Sequence, residues 1–302
     1  MSTTFGNAPA GVAAALPDDD QPKRRGLAGY FLLGPGLVWL LLFFIVPFVT
    51  MAASSLYDPT GTLAEGYQMT GHWQNFVDAW REYGTVFLRS FVYAGLATLA
   101  CVLLGFPLAY AIAFKAGRWQ SLMLVAVIAP FFTSFLVRTL SWKLLLSDNG
   151  FVVDTLHALP GVPDSLRLLA TPFAVITGLT YNFLPFMVLP LYASLEKVDQ
   201  RQVEAAGDLY ASPFTAFRKV TLPLALPGLV AGTLLTFIPA AGDFINAELL
   251  GNPQTRMIGN DIQDLFAAAN LPVASALSVS LMVAIVTLVI LYVRRAGTED
   301  LL

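Results

Sequence analysis

Six long apolar runs, separated by shorter polar interruptions, set the pattern of this chain. They lie near residues 28–56, 85–114, 121–146, 172–194, 222–242 and 273–293. Each is about as long as the roughly 20 residues an α-helix needs to cross the hydrocarbon core of a bilayer. Lipid offers no partner to an exposed peptide group, so a spanning segment must close its own hydrogen bonds, and runs this apolar do so as helices. The pattern predicts an all-α polytopic membrane protein with six transmembrane helices. Pro47, Pro107, Pro130, Pro185 and Pro227 fall inside or near the ends of the runs, where neighbouring helices can re-satisfy freed backbone groups. Gly228-Leu-Val-Ala-Gly232 is a small-xxx-small pattern that lets the fifth helix approach a neighbour closely.

The interruption from Ser194 to Pro227 is the longest polar one in the second half of the chain, and it still carries helix signals. Asp199 followed by Gln202 predicts a helix start near Gln200. Ser212-Pro213 predicts a second short helix, with serine as N-cap and proline in the first turn. Phe214, Phe217 and Val220 recur at helical spacing beside Arg218 and Lys219, which gives that helix one apolar face. Two short helices between spans, one with an apolar face, are expected to dock another protein.

Composition agrees with the membrane reading. Hydrophobic residues make up 56% of the 302 and charged ones 12%, about half the usual charged share of roughly a quarter, and mean hydropathy is +0.67. Residues 1–26 are rich in Ala, Pro, Gly and Asp without apolar periodicity, which predicts a disordered cytoplasmic tail. The run that follows is far longer than the roughly 7–15 apolar residues of a signal peptide, so it is expected to be retained as a span. Residues 27–296 then form the transmembrane domain, with its docking stretch at 195–222, and 297–302 form a C-terminal tail. The lone Cys101 and the separate His72 and His157 predict neither a disulfide framework nor a metal site.

The basic residues give the orientation. With the N-terminus in the cytoplasm, the inner segments hold eleven Lys and Arg and the outer segments and helix ends hold six, as the positive-inside bias requires. Both termini and the 194–227 stretch are then cytoplasmic. Asp58, Glu65, Asp78, Glu82, Asp148, Asp154, Asp164, Glu248, Asp261 and Asp264 fall on the outer side, where a negative field would attract a cationic solute.

No Gly-x-x-x-x-Gly-Lys-Ser/Thr, His-Glu-x-x-His or Gly-x-Ser-x-Gly occurs, so nucleotide-binding and hydrolase chemistry have no motif in this chain. One acid stands out. Asp243 follows Ile238-Pro239-Ala-Ala-Gly242 at the far end of the fifth run. A straight helix from Pro223 would carry it roughly 30 Å, to the outer interface. A break at the Pro-x-x-Gly segment would instead turn the carboxylate into a cavity, where an intramembrane acid is a functional candidate. Phe244, Tyr181, Trp142 and Tyr192 are candidate aromatic faces for an ammonium group, against the alternative of interfacial anchors.

Glu204-Ala205-Ala206, followed by Val220-Thr221-Leu222-Pro223, resembles the EAA motif of permease subunits in binding-protein-dependent ABC importers. The spacing of Glu-Ala-Ala, three residues, Gly, nine residues, then aliphatic-x-Leu-Pro is matched, except that the family glycine falls on Tyr210 while a glycine stands at Gly207. Tyr181 to Lys197, Phe237 to Phe244, Glu248 to Gly251 and Met257 to Asn260 are similar to B-type permeases of spermidine/putrescine importers. Iron and thiamine permeases share parts of these motifs.

The resemblance implies a six-helix permease of the MetI-like type in the bacterial cytoplasmic (inner) membrane. It implies pairing with a second, C-type permease, two cytoplasmic ATPase subunits carrying ATP and Mg, and an extracytoplasmic polyamine-binding protein. No cofactor in this chain, no enzymatic activity and no nucleic-acid partner are expected. ATPase coupling is expected at Glu204, Ala205, Ala206, Gly207, Asp208, Leu209, Tyr210, Phe214, Phe217 and Arg218. The substrate pathway is expected at Asp243, Phe244, Glu248, Tyr181, Trp142 and Tyr192. Rival readings are a permease for ferric ion, thiamine or an opine-like cation, and a stand-alone channel or secondary transporter.

Overall fold

A computed structural model describes residues 28–62, 66–160, 163 and 165–296. The two predicted tails, and Glu65 and Asp164, lie outside the described residues. The chain divides into two units at residues 49 and 50. The first holds α1 (Ala28–Leu40), a five-residue π turn (Leu41–Ile45) and the start of α2 (Val46–Ser54). Together Leu33–Ser54 is long and apolar enough to cross a membrane.

The second unit is a helical bundle. α3 (Gln74–Phe114) is a 41-residue helix, eleven residues longer at its start than the apolar run predicts, because Asp78, Arg81 and Glu82 continue the helix in polar form. α4 (Gln120–Ile128), α5 (Phe135–Leu146) and α6 (Phe151–His157) follow. Then come α7 (Pro172–Leu195), α8 (Gln200–Asp208), α9 (Pro213–Ala216) and α10 (Leu222–Ala241). α11 (Ile245–Leu250), α12 (Ile258–Ala267) and α13 (Leu271–Ala296) complete it.

α3, α7 and α10 form the centre. The predicted close approach of the Gly228–Gly232 pattern is made onto α7. A Cβ at Gly228 would stand 2.5 Å from that of Ser194, and one at Gly232 would stand 2.9 Å from the Met187 sulfur. Ser194 Oγ also accepts the Gly228 N–H at 3.2 Å.

Two expectations are revised. The third span is not one rod. It breaks at Thr133-Ser134, and its two halves meet at 95°. Pro130 stands in the 3₁₀ turn before the break, where a residue without an N–H ends the α ladder. The pair still joins opposite ends of the bundle. Gln120, at the start of α4, bonds Tyr192 near the end of α7. Leu146, at the end of α5, packs with Ala174 and Leu250 at the other end.

The second revision concerns α9. It is not a separate short helix. It runs through a π turn (Phe217–Thr221) into α10, so Pro213–Ala241 is one 29-residue helix. In that turn the Leu222 N–H reaches the carbonyl of Phe217, five residues back, directly before Pro223, whose ring would otherwise crowd the preceding turn.

Candidate functional site

The Glu204 stretch is assembled from local bonds. Asp199 caps α8, its Oδ1 accepting the Arg201 N–H at 3.0 Å. At the other end the Tyr210 N–H reaches the Gly207 carbonyl at 2.9 Å and the Ala211 N–H reaches Ala206 at 3.0 Å. Those two bonds make a Schellman turn, which needs a left-handed residue at its corner. Tyr210 supplies it, with φ of +58°, at a cost of about 1–2 kcal/mol relative to an unstrained backbone. Its side chain is 99% exposed, so contacts within this chain do not offset the strain. Gly207 lies inside α8 with open space around it; glycine stands where it is not needed, and the turn that favours it carries tyrosine.

Glu204, Ala205, Gly207, Asp208 and Leu209 are exposed and Ala206 is half-buried. Glu204 lines a recess of about 240 Å³ with Tyr110, Phe114, Lys115, Val203 and Thr221. Ser212 caps α9, accepting the Thr215 N–H at 3.3 Å. Of the two phenylalanines expected to face a partner, Phe214 is exposed. Phe217 instead turns inward, edge-on to Phe106 at 5.4 Å and to Tyr110 at 6.4 Å. Arg218 is exposed.

The Asp243 region is assembled from distant segments. Helix α10 ends at Ala241, and Gly242 turns the chain into α11. Asp243 Oδ1 accepts from the Asn246 backbone N–H at 2.8 Å and from Asn246 Nδ2 at 3.1 Å. Asn246 Oδ1 accepts from Asn182 Nδ2 at 3.0 Å, and the same amide donates to Thr139 Oγ1 at 3.1 Å. These four side chains are buried and tie α5, α7, α10 and α11 together. Asn182 stands ten residues into α7, roughly 15 Å from its start at 1.5 Å per residue. The carboxylate is therefore held inside the body of the bundle. The turn at Gly242 leaves the carboxylate buried against Asn246 and not at a water-facing helix end.

Close packing holds the network. A Cβ at Gly178 would meet Leu250 Cδ1 and stand 2.7 Å from Asn246 Oδ1; one at Gly259 would stand 2.6 Å from the Gly242 carbonyl oxygen. Asn260 then clamps α12 to the break, donating to the Phe244 carbonyl at 2.9 Å and to Glu248 Oε2 at 3.2 Å. Phe244 and Gly242 border an apolar groove of about 730 Å³ between α10, α12 and α13.

The expected aromatic faces do not converge. Trp142 and Tyr181 pack edge-on at 5.4 Å, between α5 and α7. Tyr192 lies at the opposite end of α7, where its hydroxyl accepts from Gln120 Nε2 at 2.5 Å beside Glu196. One helix carries both tyrosines, and eleven residues separate them by roughly 16 Å. Tyr192 therefore belongs with the α8 end and not with Asp243.

The acidic outer set is partly neutralised. Asp148 pairs with Arg167 at 3.0 Å, Asp261 with Arg256 at 3.1 Å, and Asp264 also pairs with Arg256. Burial pushes the Asp261 carboxyl above its usual range, and Arg256 opposes that shift.

Sequence reasoning missed Thr139, Asn182 and Asn246, because it weighed charged residues in the spans and passed over neutral ones. Lone polar residues in apolar runs were the available signal. Arg138, one of the six Lys and Arg assigned to the outer segments and helix ends, is buried.

Comparison with known proteins adds the following. A family model described as "Binding-protein-dependent transport system inner membrane component" matches residues 30–296. The spermidine/putrescine transport system permease protein PotB of Haemophilus influenzae is 36% identical over 258 residues, covering 85% of this chain and 90% of that protein. PotB of Escherichia coli is 35% identical over 260 residues, covering 85% and 94%. In the crystal structure of a bacterial ABC transporter involved in import of the acidic polysaccharide alginate, one chain shares the fold. The TM-score is 0.68 at 18% identity, covering 90% of this chain and 96% of that one.

Proposed function

We propose that this chain, which belongs to the family of binding-protein-dependent transport system inner membrane components, is the permease subunit of an ATP-driven spermidine/putrescine importer. The observation that carries the substrate is the likeness to two PotB permeases, at 35–36% identity along 85% of the chain and at least 90% of theirs. That likeness covers the stretch around Asp243 as well as the α8 end.

The importer holds a second permease of the C-type, two ATPase subunits that carry ATP and Mg, and an extracytoplasmic polyamine-binding protein. The α8 end faces the cytoplasm, and both termini lie on that side. Support comes from the excess of Lys and Arg there and from the positive-inside bias. The exposed face from Glu204 to Tyr210, with Phe214 and Arg218, seats in a groove of the ATPase. Ala205 and Ala206 permit close approach, and Glu204 meets a basic or backbone donor. Phe217 holds the start of the long helix against Phe106 and Tyr110, so motion of α8 passes into α10.

α10 ends at the break that positions Asp243, and ATP-driven closure of the ATPases thus reaches the carboxylate through one helix. Asp243, Phe244 and Glu248 face the pathway of a cationic substrate, with the Trp142–Tyr181 pair behind them. The test is co-purification with identification of the attached subunits, then uptake of labelled spermidine by the reconstituted complex. ATP-dependent uptake, displaced by unlabelled putrescine and not by thiamine or ferric ion, is the expected result. Uptake that ignores putrescine, or that persists without the ATPase, sinks the proposal.

A further inference from the structure

Arg138 is a buried cation that the described residues leave without an anion. Its side chain is 8% exposed. Nε and Nη1 are sealed from solvent and have no hydrogen-bond partner, and no carboxylate among the described residues pairs with it. What it does have is aromatic. The guanidinium lies 4.9 Å from the centre of the Phe131 ring and 5.6 Å from that of Phe135. A guanidinium presents five N–H donors in a planar fork that matches a carboxylate. Ring faces attract a cation but replace neither a hydration shell nor a counter-ion.

Depth narrows the missing partner. Phe131 packs edge-on to Phe186 at 5.1 Å, and Phe135 packs on Phe183 at 6.1 Å. Phe183 and Phe186 stand near the middle of the 24-residue α7, 9 to 14 residues from its ends, which at 1.5 Å per residue is roughly 14–21 Å. Half the hydrocarbon thickness is about 15 Å. Arg138 therefore sits near mid-depth, out of reach of lipid phosphates. The proposed substrate is itself a cation and would be repelled. Asp243 bonds Asn246 and Glu248 bonds Asn260, and neither pairs with Arg138.

We infer that Arg138 is a carboxylate-binding position at mid-membrane depth, and that an Asp or Glu in a spanning segment of the second permease subunit occupies it. Phe131, whose ring the guanidinium faces, is 37% exposed and Phe132 is 88% exposed, beside the 95° bend, so the second subunit would approach Arg138 from that side. An ion pair at this depth fixes the register of two subunits, since sliding by one helical turn would strand both charges. The inference rests on the heteromeric importer proposed above.

The test uses the full complex, purified through a tag on this chain. Arg138→Gln should lower the retained second permease at least tenfold. Arg138→Glu, combined in turn with each intramembrane acid of the second subunit changed to Arg, should recover assembly for one pairing. Full assembly and uptake by Arg138→Gln would overturn the inference, as would a swap series in which no pairing recovers assembly. Because a lost charge can also hinder folding, a second measurement leaves Arg138 intact. Phe132→Cys should cross-link to a cysteine placed one turn from the matching acid, and absence of the cross-link counts against the inference.

Ornithine, which is putrescine with one carboxylate added, separates this inference from the substrate reading. Ornithine displacing putrescine in the wild type and failing to do so in an assembled Arg138→Gln complex would make Arg138 a reader of substrate carboxylate. Both the subunit contact and the polyamine assignment would then fall. Loss of assembly with putrescine uptake unaffected by ornithine leaves both standing.

Discussion

The Glu204 stretch and the Asp243 network lie toward opposite ends of one helix, and they are built by opposite means. Around Glu204 each cap bond joins residues at most five apart, and most of the side chains point away from the chain. Asp243 itself bonds Asn246, three residues on, but the bonds that carry the network onward through Asn182 join residues 43 and 64 apart in sequence, and the four polar side chains are buried. The first region is a self-capped shape that tolerates a left-handed tyrosine without support from its own fold. The second exists only when four helices are already packed. A surface kept for a partner can be specified locally, whereas a buried polar group must be satisfied by whatever packs around it.

The hardest way to break the comparison is Asn246→Leu. It removes the side-chain donor to Asp243 and leaves only the backbone N–H, and it takes from Asn182 one of its two acceptors, Thr139 Oγ1 being the other. Depriving buried polar groups of a hydrogen-bond partner should cost about 3 kcal/mol, seen as a large drop in the melting temperature of detergent-solubilised protein. A wild-type melting curve would show that the network does not bear on the fold.

Glycine substitutions test both regions with one chemistry. Gly178→Val places atoms against Leu250 and Asn246 Oδ1 and should cost about 1–3 kcal/mol through overpacking. Gly207→Ala meets nothing within 4 Å and should stabilise α8 by about 0.5–1 kcal/mol, as alanine does over glycine inside a helix. The same thermal measurement reads both, and equal shifts in one direction would erase the contrast.

These two regions also differ in how legible they were in the sequence. Asp199, Ser212-Pro213 and the glycine-less turn at Tyr210 were readable because capping and left-handed geometry depend on a few adjacent residues. The six spans were readable because lipid imposes length and composition on each alone. The 95° break, the bonding of Asn182 to Asn246 and the burial of Arg138 were not, since they depend on which helices meet. Phe217 shows the limit within a single helix. Its spacing placed it on one apolar face with Phe214, yet that helix continues into the bundle and turns Phe217 onto Phe106, leaving Phe214 outside.

Glu204→Lys sharpens the comparison from the functional side. Glu204 is exposed, so melting should stay within about 0.5 kcal/mol of wild type, as for most surface changes. Uptake by the reconstituted complex should fall at least tenfold while the ATPase continues to hydrolyse ATP, because the lever is lost and not the motor. Parallel loss of stability and uptake would place Glu204 in the fold and not in the coupling.

Tyr210→Gly is the smallest and most selective change. Glycine occupies the left-handed region freely, so the Schellman turn should form without the strain that tyrosine carries at φ of +58°. Since the ring is 99% exposed, its removal deletes no contact within this chain. Glycine adds freedom to the unfolded state, which takes back part of the gain, and the net expectation is about 1 kcal/mol of local stabilisation at most. Hydrogen exchange at the amides of Tyr210 and Ala211 reads it directly: slower exchange in the variant is the expected result. Uptake then separates two uses of the ring. If the ATPase surface receives Tyr210, the variant turns over more slowly despite its steadier turn. If uptake is unchanged, the ring is free in the complex too, and the strained residue is only a departure from the glycine that the turn geometry favours.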